Sequence, residues 1–179
     1  MPGIVTERKR VRMRPALSLL LLLAGVPQLV HADAARGKAA AALKPLIIRP
    51  MDAPSLCSLE YRSMPFWLRP GQRTVETVIA GWLGTDSGIT PESLRLGISG
   101  VYFESETHTL AVIGFAFRTE KDAAVAEKTL ADRFAKKTEH RFTRKGPYVV
   151  VLAQPPPINE QCGKWMWEEL ERRLAKVTP

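Results

Sequence analysis

The sequence predicts an α+β domain with a ferredoxin-like split βαβ arrangement, in which helices cover one face of an antiparallel sheet and an extra helix follows at the C-terminus. Three observations lead to this prediction. Apolar residues at helical spacing alternate along the chain with short β-branched runs. A chain of 179 residues is long enough to bury one core. Gly and Pro separate most of the predicted elements.

Residues 1–32 have the three-part pattern of a secretory signal peptide. Five basic residues lie between positions 8 and 14, a leucine-rich run covers residues 16–26, and residues 30–32 offer a cleavage site. The apolar stretch over residues 16–30 is interrupted by Pro27 and is shorter than the roughly 20 residues that a membrane-spanning helix needs. We therefore expect an exported product, periplasmic or extracellular, with no transmembrane span after cleavage.

Removal of the signal would halve the net charge. The whole chain has 26 basic and 18 acidic residues, a net charge of +8, and the first 32 residues hold five of the basic and one of the acidic ones. The remaining 21 and 17 give +4. Such a mildly basic domain suits an anionic envelope polymer or a partner protein. Nucleic acid is not an expected partner, because it is rare outside the cytoplasm.

Cys57 and Cys162 are the only cysteines. In an oxidising compartment a lone pair is most simply a disulfide, which here would join the N-terminal loop to the C-terminal helix. The alternative is a reactive thiol with a histidine base, but neither Cys lies in a nucleophile motif.

The first part of the mature chain contains few regular elements. Residues 33–43 are Ala-rich and predict a flexible leader, so that the single α+β domain would cover residues 44–179. Ile47 and Ile48 belong to a short predicted strand over residues 46–48, and the many breakers in residues 51–72 predict a long loop that buries its aromatic residues.

The middle of the chain predicts a helix and a hairpin. Residues 73–83 have apolar positions at helical spacing and end before Gly84. Thr90 begins a short helical turn. Strands over residues 101–104 and 110–117 follow, and the second of them is apolar enough to be buried on both faces.

The last part of the chain predicts two helices around a second hairpin. A capping box at Thr119 begins a helix over residues 120–137, and residues 141–143 and 148–153 flank a turn. Asn159 caps the final helix. The order strand, helix, strand, strand, helix, hairpin, helix gives the ferredoxin-like prediction, apart from the extra strand and the final helix.

No motif commits the domain to a chemistry. Asp86-Ser87-Gly88 resembles the catalytic triplet of aspartic proteases, but it occurs once and a polar turn explains it. The sequence contains no closely spaced metal ligands and no glycine-rich phosphate loop, so we expect neither a metal nor a cofactor.

Two surface features are candidates for contact with a partner. Basic residues crowd the end of the second helix and the following hairpin, where they would attract an anionic partner, although a solvated edge is the simpler interpretation. They are Arg133, Lys136, Lys137, Arg141, Arg144 and Lys145. Trp165 and Trp167 lie two residues apart on the last helix and cannot both face the core, so we expect one indole to be partly exposed for stacking.

Two functional hypotheses remain. The preferred one is a non-catalytic envelope module that binds an anionic polymer or a partner protein through the basic hairpin and an exposed Trp. The alternative is a small secreted hydrolase in which His108 or His140 works with a carboxylate such as Glu104 or Glu106.

Overall fold

The computed structural model describes residues 33–55, 57–104, 108–137, 139–155 and 159–178. The chain divides into two compact units, Met1–Ala35 and Arg36–Pro179, and the description below concerns the second. The predicted signal peptide over residues 1–32 lies outside the described residues. Within the described ranges, no helix has the length and apolar character that a membrane crossing needs.

The second unit is built on one five-stranded antiparallel sheet. In space the strands follow the order β1-β2-β3-β5-β4. Their bounds are β1 Glu60–Leu68, β2 Leu94–Phe103, β3 Thr109–Phe117, β4 His140–Lys145 and β5 Tyr148–Ala153.

Four helices pack on this sheet. The first, α1, is helical over residues 33–43, and α2 covers Arg73–Val78 before it widens into a π-helical turn at Ile79–Leu83. The longer helices are α3, Glu120–Phe134, and α4, Glu160–Ala175. Short 3₁₀ turns occur at Lys44–Leu46, Pro50–Asp52 and Pro91–Ser93.

The sheet has an apolar core on each face. Along β3, Val112 belongs to one core and Ile113 to the other, as expected when successive side chains point to opposite faces. Leu43 of α1 and Met166 of α4 belong to the first core, whereas α2 and α3 contribute to the second. The prediction that helices cover one face is therefore wrong, although the prediction of a central strand buried on both faces is confirmed for β3.

The ferredoxin-like arrangement is not confirmed. A split βαβ unit has a third strand between the two strands that flank its helix. Here β1 and β2 flank α2 and are direct antiparallel neighbours. The first three strands therefore form a meander, with β1 at one edge of the sheet and β4 at the other.

Two predictions about the N-terminal part of the domain are wrong. Residues 51–72 are not one long loop, because β1 lies within them and carries Pro65. An edge strand tolerates proline, since its outer side has no ladder partner that would need the missing N–H. The predicted strand over residues 46–48 is absent, and Lys44–Leu46 forms a 3₁₀ turn followed by the buried residues Ile47 and Ile48.

Residues 33–43, predicted as a flexible leader, form a helix that contributes to the first core. Ala39 and Leu43 are buried. A Cβ atom at Gly114 of β3 would lie 3.2 Å from Leu43 Cδ2, so this glycine allows the end of α1 to approach the sheet. Leu43 is the one large apolar residue of this helix and the others are mostly small, so the composition of residues 33–43 gives little indication of burial.

The locally encoded elements agree with prediction. Gly84 has the positive φ of 84° that ends the predicted helix over residues 73–83. The Thr119 hydroxyl accepts a hydrogen bond from Asp122 N at 3.1 Å and begins α3, which ends at Phe134. The Asn159 side chain accepts one from Cys162 N at 3.1 Å and begins α4. The second predicted hairpin is present as β4 and β5.

Candidate ligand-binding groove

A groove of about 1050 Å³ lies between the end of α1, strand β1 and the end of α4. Apolar side chains make up much of its lining. They are Ala41, Ala42, Pro45, Ile47, Pro65, Trp67, Ile98 and Val177. Ligand sites in proteins are typically apolar clefts of about 300–1,000 Å³ with a few placed polar groups, so both size and lining suit a small molecule.

Cationic side chains also line the groove. They are Lys38, Lys44, Arg49, Arg172, Arg173 and Lys176. Asp52 is the one carboxylate among the lining residues. The groove thus combines an apolar surface with an excess of positive charge, which favours an anionic ligand.

Arg173 holds the wall of the groove in place. Its guanidinium donates to the carbonyl oxygens of Pro45 at 2.9 Å and Ile47 at 3.0 Å. It also contacts Glu169 Oε1 at 2.6 Å and Asp52 Oδ2 at 3.3 Å. These bonds tie the chain after α1 to the last turns of α4, and the two carboxylates balance the charge of Arg173.

Two further arginines are paired with these same carboxylates. Arg49 donates twice to Asp52, at 3.0 and 2.8 Å, and Arg172 donates twice to Glu169, at 2.8 and 2.5 Å. The hydrogen bond from Arg49 lowers the pKa of Asp52, and the bonds from Arg172 and then Arg173 lower the pKa of Glu169. Both carboxylates are thereby held in the charged form.

Lys44 and Lys176 differ from the three arginines. Within the described ranges, neither lysine forms an ion pair or a side-chain hydrogen bond, and both are exposed. Their charges are therefore not balanced locally. They are the groups best placed to meet the acidic end of a ligand whose apolar part lies in the groove.

The basic residues predicted from sequence lie elsewhere, at the end of α3 and on β4. Arg133 pairs with Asp86, Arg144 Nε donates to Glu127 at 2.7 Å, and Lys145 Nζ donates to the carbonyl of Ala175 at 2.5 Å. Three of the predicted contact residues are thus engaged within the domain.

The other three predicted basic residues have different surroundings. Lys137 Nζ lies 5.9 Å from the centre of the Phe134 ring, a cation–π distance. Lys136 follows α3 and is exposed, whereas Arg141 on β4 is half-buried. None of the six predicted basic residues lines the groove.

The predicted contact aromatics also lie outside the groove. Trp165 and Trp167 are both half-buried and pack against the core under α1 and α4. Trp67 of β1, which the sequence placed in a loop, is the tryptophan that lines the groove.

His108 and Glu104, candidates for a hydrolytic site, do come together. His108 Nδ1 lies 2.7 Å from Glu104 Oε2, and Asn159 Nδ2 donates to Glu104 Oε1 at 2.6 Å. Both carboxylate oxygens are thus engaged, and the adjacent cavity of about 10 Å³ has room for roughly one water molecule. The contacts join the β2–β3 connection to the start of α4. Glu106, the other candidate carboxylate, lies outside the described residues.

His140, the second candidate base, is held in an apolar contact. Its ring stacks on Phe134 with the centres 4.0 Å apart, and Nε2 donates to the carbonyl of Trp82 at 2.9 Å. Burial lowers the pKa of His140 below its ordinary value of 6.5.

This lowered pKa predicts a loss of stability on mild acidification. Below about pH 6.5 the unfolded chain binds a proton at His140 more readily than the folded chain does, so the free energy of unfolding falls as the pH drops toward the folded-state pKa. Urea unfolding between neutral pH and about pH 5.5 measures the slope. His140→Asn should reduce that slope, and an equal slope in the variant would contradict the assignment to His140.

The chain matches no protein-family model, and it resembles no curated protein or solved structure closely enough for the likeness to be significant. Its function is therefore inferred from the groove.

Proposed function

We propose that this protein is a non-catalytic binding module of the cell envelope that holds an amphipathic anion in the groove. The observation that carries the proposal is the combination of an apolar lining with the charges of Lys44 and Lys176, which have no partner among the residues that the structure describes. A ligand with an acyl chain and a carboxylate or phosphate end would satisfy both parts.

Burial of an acyl chain supplies most of the expected affinity. Each buried CH₂ group contributes about 0.8 kcal/mol. The lysines add specificity for the charged end, since exposed ion pairs contribute up to about 1 kcal/mol each. Arg173 acts by holding the wall, because its donors are already occupied by Pro45, Ile47 and the two carboxylates.

An amphipathic small molecule suits the groove better than the anionic polymer or partner protein expected from the basic hairpin. A polysaccharide would bring hydroxyl groups against the apolar lining, where they would lack hydrogen-bond partners. The hydrolase alternative has one supporting contact, between His108 and Glu104, but Asn159 occupies the second oxygen of that carboxylate.

Two features support the proposal of an extracytoplasmic location. The disulfide between Cys57 and Cys162 is compatible with an oxidising compartment. The N-terminal pattern predicts export and cleavage after Ala32.

We expect the protein secreted by an exporting host to begin at Asp33. Intact-mass measurement of the protein from the periplasmic fraction or the medium tests this, with the whole-cell protein as the control. If the measured mass of the exported protein includes residues 1–32, cleavage at this position is contradicted.

Fatty-acid binding tests the groove directly. We expect dodecanoate to bind and to change the fluorescence of Trp67, whereas acetate, with no acyl chain to bury, does not bind. Replacing Lys44 and Lys176 together with Gln should weaken dodecanoate binding about tenfold, because two exposed ion pairs are lost. Isothermal titration calorimetry measures the affinity.

Two controls make this test specific. Lys121 and Lys128 on α3 are exposed and lie away from the groove, so replacing both with Gln should leave dodecanoate binding unchanged. Dodecanol should bind the wild type and the Lys44/Lys176 variant equally, because it lacks the charge. An absence of dodecanoate binding, or an equal loss in both lysine variants, would exclude the proposed site.

A further inference from the structure

We propose that the groove prefers ligands whose acidic end is a phosphate with two negative charges over ligands whose acidic end carries one. The inference rests on the proposed function and deepens it, because it concerns the charged end of the same amphipathic ligand. The balance of charges around the groove supports it.

Five charged side chains between the end of α4 and the chain after α1 form one linked network. Its carboxylates are Asp52 and Glu169, and each of them binds two arginines. Arg173 contacts both carboxylates, whereas Arg49 and Arg172 each bind one. Three guanidinium groups therefore share two carboxylates, and the network keeps one positive charge in excess.

Lys44 and Lys176, which have no partner among the described residues, lie on segments that touch. Lys44 precedes Pro45, whose carbonyl oxygen accepts a hydrogen bond from Arg173 at 2.9 Å. The backbone N–H of Lys176 donates to the carbonyl of the same Arg173 at 3.1 Å. Together with the network, the groove thus has three positive charges in excess, even when Lys38, which also lines it, is not counted.

A ligand with a single negative charge would leave two of these three charges unbalanced. Like charges on neighbouring segments repel one another, and an acyl chain buried beside them reduces the screening by water. A phosphate monoester carries close to two negative charges at neutral pH, because its second pKa is about 6. It would therefore balance one charge more than a carboxylate or a sulfate does.

The arginines at the two ends of the network also supply hydrogen-bond donors. A guanidinium group has five N–H donors. Arg49 uses two of them on Asp52, and Arg172 likewise uses two on Glu169. The other N–H groups of these arginines have no acceptor among the described residues, and both arginines line the groove. The planar donor array of arginine suits phosphate oxygens.

Calorimetric titration with decyl phosphate and decyl sulfate tests the charge preference. The two probes share one chain length and a tetrahedral head, but the sulfate carries a single negative charge. We expect decyl phosphate to bind about fivefold more tightly than decyl sulfate at pH 7.5, because one more exposed ion pair forms. Both probes are kept below the concentration at which they form micelles, in a buffer without phosphate.

Acidification gives a second readout. Between pH 7.5 and pH 5 the phosphate binds a proton and falls to one negative charge, so its affinity should approach that of the sulfate, whose own affinity stays constant. The groove itself does not titrate over this range, since no histidine is among its described lining residues. The hydrogen bond from Arg49 also holds the pKa of Asp52 below its ordinary value.

Two lysine variants show where the preference arises. Replacing Lys44 and Lys176 together with Gln should abolish the preference for phosphate over sulfate, because only the excess charge of the arginine network remains. Replacing Lys121 and Lys128 on α3 with Gln should leave the fivefold preference unchanged, since both lie away from the groove.

The outcomes separate this inference from the proposed function. Equal wild-type affinities for the two decyl probes at pH 7.5, or a preference that persists in the Lys44/Lys176 variant, would overturn the charge preference and leave the proposed function standing. An absence of binding by both probes would exclude the proposed function as well. Inorganic phosphate alone should bind much more weakly than decyl phosphate, and equal binding would contradict both, because the chain would then contribute nothing.

Discussion

Replacing Cys57 and Cys162 together with Ala is expected to lower the free energy of unfolding by about 2–5 kcal/mol. The two cysteines are 105 positions apart and form a disulfide. A cross-link that closes so long a loop restricts the unfolded chain strongly, for which chain-entropy models give a stabilisation of about 4.7 kcal/mol at 100 residues. Urea unfolding of the wild type and of the double variant, each with and without reductant, measures the difference in the free energy of unfolding.

The position of the disulfide adds a packing contribution. Cys57 lies just before β1, Cys162 lies in the first turn of α4, and both are buried in the first core. Because β1 and α4 form two walls of the groove, the variant should also bind dodecanoate more weakly. Reductant should destabilise the wild type and leave the stability of the double variant unchanged. If the free energy of unfolding of the double variant lies less than about 1 kcal/mol below that of the wild type, a stabilising role of the disulfide is contradicted.

Local chemistry explains which elements could be predicted. The caps at Thr119 and Asn159 and the positive-φ glycine at position 84 act within one or two turns of a helix, so sequence spacing is enough to indicate them. The many breakers in residues 51–72, Pro65 among them, indicate a loop, and only the position of β1 at the sheet edge makes this proline acceptable in a strand.

The order of strands depends on information that local patterns do not contain. The same sequence of elements is compatible with β1 inside the sheet or at its edge. The apolar runs in β3 and β5 do indicate burial on both faces, which requires helices on both sides. Which helix covers which face is decided by long-range packing, such as that of Leu43 beside Gly114.

The groove was harder to predict than the fold. Its cations come from positions 38–49 and 172–176, and neither group forms a dense basic run. The α3–β4 region does form such a run, yet Arg133 and Arg144 are paired with carboxylates there. The density of basic residues along the sequence therefore indicates a surface whose charge is partly neutralised in the fold. It does not indicate Lys44 and Lys176, which are far apart in the sequence and are brought to one groove by folding.

The second large effect is expected at Leu43. Replacing it with Ala should lower the free energy of unfolding by about 2–5 kcal/mol, because a fully buried side chain is removed from the first core. Urea unfolding of the secreted protein measures this. Arg36→Ala, at an exposed position of the same helix, should change stability by less than about 0.5 kcal/mol.

The result at Leu43 decides whether residues 33–43 are part of the folded domain or a flexible leader. A leader would tolerate Leu43→Ala as well as Arg36→Ala, so equal and small effects would contradict the helix packing described above. Gly114→Ala adds an independent test, because its new Cβ would lie 3.2 Å from Leu43 Cδ2. If the two positions touch, Gly114→Ala should cost less stability in the Leu43→Ala background than in the wild type, and the difference between the two costs measures the contact.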